Sequence, residues 1–213
     1  MTDRLKRIFS VLTECEVFAD IGCDHGYIAK AMLDNGKCEK VIISDISEKC
    51  LNKARELLFQ YEKDGRVESV VCDGFKRVDK CDLALIAGMG GEEICSIISD
   101  AKDLPQTLVV QPMKNCDKVR TIAVQCGYRI DKDFLFKAGG KYYYLIRFMK
   151  GEDVLTPLEI EFGRDNLDGK NADFKEFICT KRDKLIEVLS RDTLSIETRK
   201  ELQCEVEKLE KFL

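Results

Sequence analysis

The densest group of residues able to do chemistry is Asp20-Ile21-Gly22-Cys23-Asp24-His25-Gly26-Tyr27, at the close of a short apolar run. An apolar strand that enters a glycine-bearing turn and then a helix places a ligand beyond the carboxyl end of that strand. Gly22 lets backbone approach a ligand closely, and Gly26 lets the helix lie near the strand. The turn is not G-x-G-x-x-G. Asp24 stands where a second pyrophosphate-facing glycine is expected, and its charge repels a pyrophosphate. An acidic turn suits a ligand that carries an ammonium or sulfonium group, which weighs against a nicotinamide oxidoreductase. Asp24 can serve as a carboxylate at the reacting centre or cap the next helix. His25, the only histidine, can donate to a ligand, orient Asp24, or act as a capping or packing residue. Tyr27 can stack on a flat substrate or pack into the core.

Four more strand ends carry polar or glycine residues. Asp45 follows Gly22 by 23 residues, where a carboxylate accepts both hydroxyls of a ribose. Asp73-Gly74-Phe75 closes a third run, placed so that a side-chain acceptor reads an adenine amino group. Ala87-Gly88-Met89-Gly90-Gly91 closes a fourth and Gln111-Pro112 a fifth. Each of these alone also reads as an ordinary cap or turn. Five in order along one sheet edge form the informative pattern.

The elements that must position them are legible in the hydrophobic periodicity. Short β-branched runs lie at 17–21, 41–44, 67–72, 83–87 and 108–111, most of them separated by helically spaced segments. Ser47 caps one such helix, whose apolar face is Leu51, Ala54, Leu57, Leu58 and Tyr61. Asn35-Gly36 stops the helix before it. This alternation predicts an α/β fold built of βαβ units on a parallel sheet. Runs at 128–137 and 141–149, joined by Ala138-Gly139-Gly140, predict that the sheet ends in an antiparallel pair. From about residue 155 the chain reads as two amphipathic helices. Phe174, Phe177, Ile178, Leu185, Val188 and Leu189 form one stripe; Leu202, Val206, Leu209 and Leu213 form the other. Asp192 or Ser195 caps the second helix, giving a helical hairpin.

The chain has 213 residues, 45% hydrophobic and 35% charged, enough for one full domain and an appendage. No apolar run approaches the ~20 residues of a membrane span, so no membrane partner is expected. Residues 1–10 hold Arg4, Lys6 and Arg7 without a following apolar stretch, which does not read as a secretory signal. The eleven cysteines contain no C-x-x-C pair. They read as small buried hydrophobes in a reducing cytoplasm, with no metal site. Net charge is −4, yet residues 114–150 carry nine basic against three acidic side chains. A local basic face of this kind is compatible with an RNA partner. The sequence does not fix oligomeric state, and a monomer is the default expectation.

At this point the chain resembles a class I S-adenosylmethionine-dependent methyltransferase. More narrowly it resembles the TrmK family of tRNA (adenine-N1)-methyltransferases, which act at adenine 22. The resemblance rests on 20–25, Ile86-Ala87-Gly88-Met89-Gly90-Gly91, Gln111-Pro112, Lys141-Tyr142-Tyr143, Leu155-Thr156 and Glu159-Ile160-Glu161-Phe162-Gly163. It implies a Rossmann-like seven-stranded sheet over residues 1–153 and a C-terminal, coiled-coil-like antiparallel helical hairpin over 154–213. It implies S-adenosyl-L-methionine as cofactor and tRNA as partner. Asp20, Gly22 and Asp24 would then border the methionine part of the cofactor. Asp45 would hold the ribose, Asp73 and Gly74 the adenine, and Gly88 and Gly90 the loop between cofactor and substrate. Tyr27, Met89, Gln111 and Pro112 would line the base pocket. Lys114, Arg120, Arg4 and Arg7 are expected on RNA phosphates. Asp24, with His25, is the candidate for stabilising the methylated base or taking its proton. A methyltransferase acting on another RNA base or a small molecule remains open at this stage, as does a non-catalytic adenosyl- or RNA-binding module.

Overall fold

The computed structural model describes residues 1–190 and 194–213 of the chain. Helix α1 (Asp3–Val11) precedes a first half that alternates strand and helix: β1 (Cys15–Ile21), α2 (Tyr27–Asp34), β2 (Cys38–Asp45), α3 (Glu48–Lys63), β3 (Val67–Val71). The alternation continues through β4 (Leu83–Ala87), α4 (Gly91–Asp100), β5 (Thr107–Gln111) and α5 (Cys116–Gln125). A hairpin of β6 (Tyr128–Ala138) and β7 (Lys141–Lys150) follows. Then come α6 (Pro157–Phe162), a 3-10 turn at Arg164–Asn166, α7 (Ala172–Leu189) and α8 (Ile196–Glu210). The seven strands make one sheet in the order β3-β2-β1-β4-β5-β7-β6. The first five are parallel, and β7 runs antiparallel to both its neighbours. This is the Rossmann-like methyltransferase sheet expected from the sequence.

Parallel strands covered on both faces must be apolar on both, which is why they read as continuous runs. Phe18, Val41, Ile43, Leu85 and Val109 face Met32, Leu51 and Leu58, with Ile8 and Leu12 filling the same layer from the N-terminal side. On the other face Ala19, Ile42, Ile86 and Val110 meet Ile94, Ile98, Val119 and Ala123. The order reversal between β1 and β4 places the switch point, and hence the ligand crevice, at the end of β1.

The C-terminal helices are antiparallel. Arg199 Nη1 donates to the Leu189 carbonyl at 2.7 Å, Lys181 reaches Glu205 at 2.8 Å, and the Phe174 and Phe212 rings lie 6.2 Å apart. Ser195 caps α8 through the Thr198 N–H; Asp192 lies outside the described residues. Phe212, not Leu213, joins the cluster of Leu135, Phe162, Phe174, Ile178 and Leu209 that seats the helices on β6, and Leu213 is exposed.

Strand β6 is one of the sheet's two edges, opposite β3, and outward N–H groups along it are met by side chains. Those of Ile130, Asp133, Leu135 and Lys137 donate to Asp153, Asp165, Asn166 and Asp173, at 2.9, 2.9, 3.0 and 2.9 Å. Beside them α6 opens on a capping box of Thr156 and Glu159 with Pro157 at its first position.

Candidate active site

Most of the candidate residues stand where β-strands end. After Ile21 the chain turns through Gly22 at φ 74°, and the N–H groups of Gly22 and Cys23 both donate to the Ser44 carbonyl, at 2.7 and 2.9 Å. The turn is thus folded onto the end of β2. A side chain at Gly22 would run into Met89 of the facing loop, so the position needs glycine for space as well as for backbone. Asp20 lies beneath the turn. Burial pushes its carboxyl up to about 6, against hydrogen bonds from the Cys23 thiol and the Ala29 N–H.

Asp45 ends β2. Its Oδ1 accepts the Ser47 N–H at 2.7 Å, which fixes the carboxylate at the mouth of the α3 turn. Asp73, at the end of β3, is exposed and paired with Lys76 at 2.6 Å. Gly74, at φ 57°, packs so closely on Ile97 that a Cβ would come within 2.9 Å of it.

Two loops meet over the middle of this edge. Gly88 N–H donates to the Gln111 carbonyl at 3.0 Å, Met113 N–H to Met89 at 2.9 Å and Gly91 N–H to Lys114 at 3.1 Å. A side chain at Gly91 would strike the Lys114 carbonyl, and the Lys114 stem lies against Gly90. The loops after β4 and β5 are therefore laced into one unit, which carries Met89, Gln111, Pro112 and Lys114. Gln111 is fully buried; its Nε2 donates to the Pro112 carbonyl at 3.0 Å. Beside this unit a groove of about 630 Å³ runs between Met113–Lys114 and Tyr142, Tyr144, Phe177 and Lys181.

Asp24 does not cap α2, whose N-cap is Gly26 with no side-chain hydrogen bond. Its carboxylate takes His25 Nδ1 at 2.6 Å and Lys53 Nζ at 3.0 Å. Slight burial works upward on its pKa, but the hydrogen bonds from Lys53 and Cys50, together with His25, outweigh it and hold Asp24 below the usual carboxylate range. Tyr27 is not a core residue. It is 49% exposed and stacked on His25, with ring centres 5.6 Å apart and planes within 5°.

Not every expected residue joins the set. Arg120 corrects the sequence reading: it is fully buried and cannot reach a phosphate. Its Nε and Nη2 grip Asp133 at 2.7 and 2.9 Å, its Nη1 donates to the Ile160 carbonyl at 2.9 Å, and its guanidinium lies 4.7 Å from the Tyr144 ring centre. Burial works against the charge on Arg120, and Asp133 more than restores it. Arg7 stands over Phe134 at 4.7 Å, beside Lys132 and Lys170, away from the strand-end residues. Arg4, by contrast, is half-buried at the edge itself, its Nη1 donating to Gln111 Oε1. Among the described residues no group of three or more His, Cys, Asp or Glu could hold a metal ion. No described helix is long and apolar enough to cross a membrane.

Residues 1–146 match the family model of the methyltransferase domain. The chain belongs to the methyltransferase-domain family. Among proteins similar to this family member, one from Mycoplasma pneumoniae, named as a candidate tRNA methyltransferase, is 28% identical over 62% of each chain. The tRNA (adenine(22)-N(1))-methyltransferase of Bacillus subtilis is 27% identical over 68% of this chain and 63% of its own. The chain thus aligns with about three fifths of the length of these relatives. The structure of M. capricolum TrmK with S-adenosyl-homocysteine superposes with a TM-score of 0.87 at 24% identity, covering 100% of this chain and 97% of that one. The resemblance to the TrmK family read from the sequence is borne out by these comparisons.

Two features escaped the sequence reading. The N-terminal segment was read only for its basic residues, although Thr2, followed by Leu5, Ile8, Phe9 and Leu12 at helical spacing, signals a capped helix. The other is the Thr156–Glu159 capping box, a local signature of a helix start.

Proposed function

We propose that this methyltransferase transfers the methyl group of S-adenosylmethionine to N1 of an adenine in tRNA, adenine 22 by analogy with its B. subtilis relative. The observation that carries the reading is the laced pair of loops, 88–91 and 111–115, set beside the Gly22 turn. Bare glycine backbone and Met89 are thereby held at one crevice, with Gln111-Pro112 buried behind them.

The residues fit the cofactor. Ser44 Oγ is buried with no hydrogen-bond partner among the described residues, next to Asp45. Only one oxygen of Asp45 is committed to the α3 turn. Asp45 would hold the ribose hydroxyls, Asp20 and Gly22 the methionine portion, and Asp73 and Gly74 the adenine. Gly88 and Gly90 would let backbone close over the cofactor. Bound there, the cofactor supplies an electrophilic methyl group on a sulfonium.

Adenine N1 carries an in-plane lone pair when neutral, so no base is needed to expose it. What the chain must supply is placement, worth ~7–11 kcal/mol in well-oriented systems. Met89 would be the wall that holds the base edge-on, with Gln111 and Pro112 buried behind it as its support and the His25–Tyr27 stack at its rim. The methylated base is cationic. The lowered pKa of Asp24 keeps its carboxylate ionised at neutral pH, which suits it to stabilising that cation better than to accepting a proton. His25 fixes the orientation of that carboxylate.

A stacked base must be splayed out to reach the pocket, at a cost of a few kcal/mol. Lys114 and Arg7 on phosphates would offset this, with residues 154–213 as a second, RNA-contacting unit across the groove. A tRNA substrate and the free state of all the cysteines fit action in a reducing cytoplasm.

Incubation with a labelled methyl donor and bulk tRNA, then digestion and mass mapping, tests this reading. The expected product is 1-methyladenosine at one position. Donor binding without incorporation would convert the protein into a binding module. Asp24→Asn should lower turnover at least tenfold while donor affinity changes less than threefold, the split expected of a group acting in the transition state. A wild-type rate would remove Asp24 from the mechanism.

A further inference from the structure

Helix α1 lies outside the alternating strand–helix unit, yet its first turn overhangs the carboxyl edge. Ile8, Leu12, Leu5 and Phe9 anchor it on the core. That anchoring brings one side chain, Arg4, against three segments at once. Its Nη1 donates to Gln111 Oε1 at the end of β5, its guanidinium lies 5.9 Å from the Tyr143 ring centre at the start of β7, and Nη1 stands 3.8 Å from where Gly88 would carry a Cβ.

Gln111 has no access to water. Its amide is spent internally, the oxygen on Arg4 and the nitrogen on the Pro112 carbonyl at 3.0 Å, with Met113 Sδ at 3.5 Å. An amide so placed has one favourable orientation, because turning it over would set its NH2 against the guanidinium. Gln111 and Pro112 also belong to the loop unit tied through Gly88 and Met113.

We propose that Arg4 is a positioning residue for methyl transfer: by holding the buried Gln111 amide it sets the Pro112 carbonyl and the paired loops, and so the angle at which the target base meets the methyl group. Helix α1 is then part of the catalytic apparatus and not merely a basic arm for RNA. The inference rests on the methyltransferase reading above. Lysine cannot replace arginine here, because a single ammonium lacks the planar fork that serves Gln111 and the Tyr143 face together.

The test uses the full chain, in two arms. In the first, the side-chain NH2 of Gln111 is assigned by NMR as the signal lost in Gln111→Glu. In Arg4→Ala and Arg4→Lys that signal should shift and lose its protection from solvent exchange. No change would overturn the proposal whether or not the protein methylates tRNA. In the second, kcat and KM for tRNA are measured with donor affinity. Arg4→Ala should lower kcat on the order of 100-fold, the scale of an ångström misplacement, with donor affinity and KM within threefold. Arg4→Lys should recover less than a tenth of wild-type turnover, and Gln111→Met should cost little more in the Arg4→Ala background. A raised KM at unchanged kcat would make Arg4 a phosphate contact instead; additive losses would show that it does not act through Gln111. An inactive wild type refutes the proposed function and leaves the NMR arm to decide the role of Arg4.

Discussion

The carboxyl edge of the parallel strands and the seam where α5 and β6 meet the C-terminal segment are equally rich in charge, yet they spend it in opposite ways. At the seam every major charge is answered from within. Arg120 and Asp133 are both fully buried and joined two-pronged, and Arg164 bridges Asp153 and Glu159 at 2.9 and 2.6 Å. Asn166 takes the Leu135 N–H and gives to the Phe162 carbonyl. At the edge, by contrast, Asp20 is buried with no cation among the groups acting on it and its carboxyl raised to about 6, the Ser44 hydroxyl has no partner among the described residues, and Asp45 commits one oxygen to the α3 turn. The lesson is that charge content does not separate scaffold from site; the accounting of partners does. A satisfied buried network fixes shape, whereas a strained or half-satisfied one marks where a ligand completes it.

Three changes would break or sharpen that contrast. The largest effect is expected at the seam. Arg120→Ala leaves Asp133 buried and alone, which costs about 3–5 kcal/mol. For a chain of this size that lowers the melting temperature by roughly 6–20 °C, read by calorimetry or circular dichroism. The salt dependence of tRNA binding by the folded fraction should stay as in wild type; a shallower slope would mean that Arg120 reaches phosphate after all. Next comes the edge. Asp45→Ala should weaken donor binding by about 1.5–3 kcal/mol, roughly ten- to hundredfold by titration calorimetry, while stability hardly moves. Unchanged donor affinity would discredit the ribose role.

The smallest effect has the opposite sign. The pKa of Asp20 is raised on folding, so its ionised form costs stability above about pH 6 and the cost fades as pH falls toward the unfolded value of 3.8. Asp20→Asn should therefore be more stable than wild type by about 1–2 kcal/mol at pH 8, after allowing for a lost acceptor. The difference should shrink as pH falls through 6, and the variant should bind donor poorly. Denaturant titrations at pH 8 and pH 5 give both values. A variant less stable at pH 8 would place Asp20 with the satisfied network.

The chemistry-bearing turns were legible because they are local. Gly22, Asp45 and Gly88 each end an apolar run, and the hairpin announces itself at Gly139-Gly140. Hydrophobic periodicity likewise placed the strands to within a few residues. What stayed hidden depends on pairs far apart in sequence. Nothing near Arg120 says that Asp133 will meet it in the dark, nor that Ile160 will lend a carbonyl. The same holds for Arg4, whose acceptor lies 107 residues away. A basic residue in a basic stretch reads as solvent-facing until its partner is located, and only the fold locates it.

The four acceptors along β6 have one more consequence. Edge strands invite strands from other molecules, and proteins usually blunt them with lysine, proline or a bulge. Here the sheet borrows Asp153, Asp165, Asn166 and Asp173 as a false eighth strand, a row of oxygens standing where a neighbour's carbonyls would dock. The segment after β7 thus occupies the donors of β6 that an incoming strand would otherwise pair with.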